Sequence, residues 1–246
     1  MAIRSNVAGV PARSWEARHP GTVEWFTFDW WWAEGDASGR LGGFVSLSFQ
    51  PRTVWYWAGL AGDGRPYVLV KELDVAPPRR PASLEIRAEG LWADHNCETA
   101  FEHWSFGLEA FGVALSDPTE ALRSERGDRV ALGLDLELDG LAPAVGAERD
   151  YAQAGAVHGQ VLVGRGAEVE TIPVDGSGRR RHRWGGPAGV EGLDWLASQV
   201  GDEPQAPAGR TSLPAPVLVA DASGGRRAVA YALGEDGWTT TVALPA

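Results

Sequence analysis

The sequence predicts an all-β fold built in two halves, and three observations carry that prediction. Apolar residues recur at alternate positions in segment after segment, a period of two rather than 3.6. Turn chemistry separates those segments, because the 246-residue chain scatters 32 Gly and 16 Pro along its length without a repeat. A polar stretch at 117–127 then divides the alternating segments into two groups, 21–116 and 128–246, behind an aperiodic arm at 1–20.

Taken in order, residues 22–33 form a first strand with Phe26, Phe28, Trp30 and Trp32 on one face and Trp25, Thr27, Asp29 and Trp31 on the other. Turn residues at 34–39 lead to a second strand over 41–50. A third, 53–61, sets Trp55 and Trp57 against Val54, Tyr56 and Leu60, and Gly62-Asp63-Gly64 turns it into a fourth over 67–75. After a Pro-rich break, Leu84, Ile86, Ala88 and Trp92 alternate with Glu85, Arg87 and Glu89. Trp104, Phe106 and Leu108 share one face of the next strand, with His103, Ser105 and Glu109 on the other. Residues 130–138 alternate Val and Leu with small or acidic residues, a half-buried strand. From Tyr151 the spacing predicts two strands meeting in a tight turn, a Gly-rich corner at Gly176 and Gly178, and a basic, aromatic cluster to Gly186. Residues 190–200 carry helical spacing, 201–216 read as a loop, and three short strands close the chain.

Composition narrows the partners. A formal charge of −11 disfavours nucleic acid and anionic membrane surfaces, which attract clustered Lys and Arg. No apolar run is long enough to span a bilayer, so no stable membrane insertion is expected. A single cysteine, Cys97, and an N-terminus without a signal-peptide pattern suit a reducing compartment, and a cytoplasmic location is expected. Twelve Trp exceed what packing alone needs, since each indole N–H wants a partner when buried. That excess points to an apolar pocket lined by Trp30, Trp32, Trp55, Trp57, Trp104 and Trp184.

No nucleophile elbow, phosphate loop or dinucleotide fingerprint occurs. His95 and Cys97 make too thin a ligand set, so no metal and no cofactor are expected. What remains is imidazole and carboxylate chemistry among aromatics. His158 and His182, with Glu98 or Glu102, are the candidate acid–base groups, and His95, His103, Tyr151 and Arg181 are candidate substrate-binding residues. The structural alternative stands beside each. His158 on an apolar strand also reads as a satisfied core residue, and Arg181 as an ion-pair partner of Glu98 or Glu102.

Two segments carry a family resemblance. Tyr151-x-Gln153-x-Gly155-x-Val157-x-Gly159, followed by Gly178 and then Arg181-His182-Arg183-Trp184-Gly185, resembles the second half of the double-lipocalin superfamily. That superfamily includes carotenoid hydratase (hydroxyneurosporene synthase), tocopherol cyclase-like proteins and lipocalin-like Diels–Alderases, and its motif there reads Gly-x-Arg-Asp-His-Ser-Trp-Gly. Cys97-Glu98, then Phe101-Glu102-His103-Trp104, is similar to the family's Glu-Pro-Phe-x-x-Trp strand. Arg181 and Arg183 stand where the motif has Asp and Ser. The resemblance implies two lipocalin/calycin-like β-barrel or half-barrel domains packed together around an apolar cavity. It also implies a cofactor-independent cyclase or hydratase for a hydrophobic isoprenoid or polyketide substrate, a Diels–Alder cyclisation being one such reaction. A non-catalytic carrier or sensor of lipophilic small molecules would use the same cavity. A flat, exposed row of Trp would instead mark a carbohydrate-binding sandwich.

Overall fold

The structure, a computed structural model, describes residues 12–31, 41–62, 64–115 and 125–186 in full, and the backbone alone of 32–33, 40, 217–222, 225–234 and 237–243. Its strands are β1 (Val23–Ala33), β2 (Arg40–Phe49), β3 (Val54–Gly62), β4 (Tyr67–Val75), β5 (Ile86–Ala88), β6 (Leu91–Thr99) and β7 (His103–Leu115). They continue as β8 (Gly127–Gly140), β9 (Val145–Ala147), β10 (Asp150–Arg165), β11 (Glu168–Gly186), β12 (Val217–Ala222), β13 (Gly225–Gly234) and β14 (Gly237–Ala243). The fold is all-β, as the period-two pattern requires.

Hydrogen bonds run β4-β3-β2-β1-β11-β10-β8-β7, and β7 returns to β4 through Tyr67–Leu115 and Leu69–Val113. Eight antiparallel strands therefore close an up-and-down ring, with no free edge left in it. Strands β5 and β6 extend the sheet from β7, and β9 pairs with β10. Residues 21–116 supply the arc from β4 to β1 together with β7, and residues from 128 onward supply β8, β10 and β11. The boundary at 117–127 lies mostly outside the described residues, and the expected helix at 190–200 lies wholly outside them. A separate three-stranded sheet, β12-β13-β14, places β14 against β1.

Two local expectations differ from the structure. The segment read as one strand from 84 to 92 breaks at Gly90, whose φ of 72° turns β5 into β6. The Gly-rich corner is absent: β11 passes straight through Gly176 and Gly178, paired with Val157 and Gly155 on β10. Gly178 is needed for close approach instead of a turn. A Cβ there would sit 2.5 Å from Val157 and 2.8 Å from the Asp29 carbonyl of β1. The tight turn between β10 and β11 falls at Gly166, with φ of 51°.

An eight-stranded ring is just wide enough for side chains to fill or for one small ligand. Here side chains fill it. Phe26, Phe28 and Trp30 of β1, Val45 and Leu47 of β2, and Tyr56 of β3 meet Trp104, Phe106 and Leu108 of β7 and the Leu row of β8. Phe28 and Phe106 stack face to face across the interior at 3.7 Å. No helix among the described residues is long and apolar enough to cross a membrane.

Candidate active site at the plugged mouth of the barrel

Apart from His95 and Tyr56, which lie deeper, the polar side chains described inside the barrel gather at one mouth. Glu24 on β1, Tyr151 and Gln153 on β10, and Arg180 and His182 on β11 all share the parity of the apolar inward positions, and all are buried. Of the arm expected at 1–20, the described part, 12–20, closes this mouth. A short 3-10 turn, Arg13–Glu16, drops Glu16 into the opening, where it is only 5% exposed.

Glu16 gathers donors from three strands. Arg180 Nη2 donates to Oε1 at 2.6 Å, the Tyr151 hydroxyl to Oε1 at 2.9 Å, and Trp104 Nε1 to Oε2 at 2.7 Å. Cys97 Sγ lies 3.7 Å from Oε2, and burial with the Glu16 charge pushes its thiol up to about 12. Gln153 Oε1 accepts a second bond from Arg180 Nη2 at 2.6 Å, while its amide donates to the carbonyls of Phe101 and Ala142. The Arg180 guanidinium lies 5.1 Å from the Trp104 ring and 5.6 Å from the Tyr151 ring, within cation–π range.

A second carboxylate sits one step outward. Glu24 accepts from Arg18 Nε at 2.7 Å and from the His19 backbone N–H at 3.0 Å, and its Oε1 lies 2.7 Å from His182 Nε2. Burial favours a raised Glu24 pKa, but the hydrogen bonds from His182 and Arg18 outweigh it and hold the group below the usual carboxylate range. His182 Nδ1 donates to the Trp15 carbonyl at 2.8 Å and lies 3.2 Å from the Tyr151 hydroxyl. Its ring stacks on Phe26 at 3.9 Å, so the imidazole face looks into the barrel. His19 stacks on Trp184 at 4.0 Å, and Arg18 lies 3.3 Å over Phe49. The plug is thus held by two carboxylates, two aromatic stacks and the Trp15 carbonyl.

Beneath this roof lies a small cavity of about 20 Å³, walled by Phe26, Phe28, Leu47, Trp104, Phe106 and His95. It has room for roughly one water. His95 is 3% exposed, stacks on Tyr56 and keeps its Nδ1 buried without a hydrogen-bond partner. Burial lowers its pKa to about 3, so the imidazole is neutral.

The residues singled out in the sequence divide by parity. His182, Tyr151, Trp104 and Trp184 come together at the plugged mouth, and Trp30 and His95 lie deeper in the interior. His158, His103, Glu98 and Glu102 are not brought there. His158 and His103 face outward and interleave with Glu137 and Asp139, at 3.0 Å for His158–Glu137 and 2.8 Å for His103–Asp139. Glu98 accepts from Ser105 and is exposed, as is Glu102 in the β6–β7 turn. Arg181 also faces outward and pairs with both oxygens of Asp150, at 2.7 and 2.8 Å, instead of Glu98 or Glu102. Trp55 and Trp57 pack with Trp25 on the outer face of β1 and β3, away from the cavity. Of Trp32 only the backbone is described.

Sequence reasoning missed Glu16, Arg18, His19, Glu24, Gln153 and Arg180. For Glu24 and Arg180 a signal was present. Glu24 is in phase with Phe26, Phe28 and Trp30, and Arg180 is in phase with His182 and Trp184, so each shares an inward face. The plug residues lie in an aperiodic segment and give no such signal.

No family model and no curated protein sequence matches this chain. Among solved structures, it is similar to a protein provisionally assigned as AttH from Nitrosomonas europaea, at 12% identity and a TM-score of 0.46, over 100% of this chain and 70% of that one. It is also similar to CghA with Sch210972, at 11% identity and a TM-score of 0.34, over 90% of this chain and 56% of that one. Neither likeness is close enough to carry an argument, so function rests on the side chains.

Proposed function

We propose that this chain is an enzyme of the cyclase or hydratase type, acting on a hydrophobic isoprenoid or polyketide substrate taken into the barrel beneath the N-terminal plug. The observation that carries this reading is the Glu16–Tyr151 pair, a carboxylate and a hydroxyl 2.9 Å apart, with Glu16 bonded to Trp104 and Arg180 of the cavity wall. Cyclisation or hydration of a polyene is redox-neutral. A proton is added to a double bond, the cation closes a ring or takes up water, and a proton is then returned, so a placed acid and base suffice. Tyr151 and Glu16 are the proton-transferring pair. His182 holds the Tyr151 hydroxyl through Nδ1, Arg180 fixes Glu16, and the faces of Phe26 and Trp104 stabilise positive charge on the substrate.

A substrate-sized pocket takes about 300–1,000 Å³. The closed interior holds far less, so entry requires the segment carrying Trp15 and Glu16 to withdraw. The test is incubation of the purified chain with acyclic isoprenoids and linear polyenes, followed by mass spectrometry. Products of unchanged mass or of one added water are expected. Tyr151→Phe keeps the packing and is expected to lose about 10²–10⁴ in turnover while substrate still binds. Full activity in Tyr151→Phe would exclude this acid–base pair. Saturable binding without any product would favour the carrier reading, which the closed eight-stranded ring also suits.

A further inference from the structure

The plug carries a group that its bonds to the barrel leave unused. His19 Nε2 is buried and has no hydrogen-bond partner, an arrangement a folded protein rarely keeps without a use. His182 lies beside it, with Nδ1 on the Trp15 carbonyl at 2.8 Å and Nε2 directed at Glu24 Oε1, 2.7 Å away. Glu24 also accepts from the His19 backbone N–H at 3.0 Å, so one carboxylate ties the plug and the His182 imidazole together. The three ligand atoms of His19, Glu24 and His182 lie within 4.8 Å of one another.

We propose that His19, Glu24 and His182 bind a divalent transition cation, with zinc the best match, and that the ion clamps the N-terminal plug to β1 and β11. Two imidazole nitrogens and a carboxylate oxygen are a borderline donor set that suits zinc, with water completing a tetrahedron. Metal-ligating histidines almost always give their second N–H to a carbonyl or carboxylate, and Trp15 supplies that carbonyl to His182. Glu24 is oriented in the same way, by Arg18 Nε at 2.7 Å. Bonds of about 2.0–2.2 Å set tetrahedral ligand atoms roughly 3.3 Å apart. His182 and Glu24 stand on neighbouring barrel strands and need to spread only slightly. The remaining adjustment falls to His19, on the short link between the plug and β1. Arg18 opposes the ion, while Glu24 and the nearby charge of Glu148 favour it. His182 serves both this cluster and the Tyr151 hydroxyl, whereas His19 belongs to the cluster alone, so zinc binding in His19→Gln and turnover in Tyr151→Phe are separate readouts.

The test starts with full-length chain stripped by a chelator and dialysed. Zinc titration is expected to show one site per chain, and zinc at a hundredfold excess over Kd to raise Tm by about 5–10 °C. Cobalt in its place is expected to give the visible absorption of a tetrahedral ion. His19→Gln changes a partly buried ring and leaves the barrel strands untouched. It is expected to weaken zinc binding at least a hundredfold and to abolish the cobalt spectrum. His158→Gln, on the outer-face His–carboxylate cluster, is expected to retain both. No zinc binding by the wild type, unchanged affinity in His19→Gln, or loss of the signal in His158→Gln would each overturn the assignment.

Discussion

Replacing Glu16 with alanine is expected to destabilise the fold by about 3 kcal/mol and to free the N-terminal plug. Arg180 is 4% exposed, and Glu16 is its carboxylate partner at 2.6 Å. Removing one member of a buried pair leaves the other charge uncompensated, which typically costs 3–5 kcal/mol. The lower end applies because Arg180 keeps Gln153 and its aromatic neighbours. The same change also orphans the Trp104 indole N–H and the best acceptor of Tyr151. Urea unfolding reads the stability, and limited proteolysis reads the plug, where cleavage within 12–20 should speed up while the barrel resists. Replacing both Glu16 and Arg180 by apolar residues of similar volume is expected to recover much of the loss, because two buried charges then disappear together. A Glu16→Ala chain as stable as the wild type would show that the plug is not held by this pair.

Acid unfolding is expected to depend on His95 more than on any other single group. Its folded pKa, about 3, lies below the ordinary value of 6.5 because burial disfavours the imidazolium. The sign follows from proton binding. Between those two values the unfolded chain takes up a proton that the folded chain refuses, so stability rises with pH across that window. The contribution is fully present above 6.5 and is lost as pH falls toward 3. At 1.36 kcal/mol per unit the whole shift corresponds to on the order of 5 kcal/mol. His95→Leu replaces the ring with an apolar side chain beside Tyr56 and Phe106, and should flatten stability between pH 6 and 4. Glu24 adds to the loss in the lower part of that window. Its depressed pKa gives stability that is present above 4.5 and is lost as pH falls through its folded value. His103 works in the opposite sense: its hydrogen bond to Asp139 raises its pKa, so its small, exposed contribution fades as pH rises. Denaturant midpoints across this pH range, wild type against His95→Leu, check the account. Parallel curves would refute it.

The barrel was legible because a period of two is a direct consequence of strand geometry. The strand placed at 130–138 by alternation matches the core of β8, and the one placed at 67–75 after the Gly62-Asp63-Gly64 turn matches β4. The same rule, applied with one more step, sorts the site. Once His182 and Trp184 point inward, Arg180 must follow and Arg181 must face out, which is what the β1–β11 register gives. His158 misleads for a physical reason. Its neighbours Ala154 and Ala156 are small residues on the outer face, so the strand reads as apolar on both sides. The excess Trp likewise serves two surfaces. Trp30 and Trp104 fill the interior, while Trp25, Trp55 and Trp57 are buried on the outside of the ring. No periodicity could have placed Glu16, because a segment that plugs a barrel makes its contacts through side chains of distant strands and has no face of its own.

An apolar ligand is expected to enter at the plugged mouth, beneath Glu16 and Tyr151. Parinaric acid, a fluorescent conjugated polyene, tests it directly, because energy transfer from the buried Trp residues reports its arrival inside. Saturable binding of one probe per chain is expected, with an entry rate limited by plug withdrawal and raised about tenfold or more in Glu16→Ala. No saturable transfer, or the same entry rate in both proteins, would contradict it.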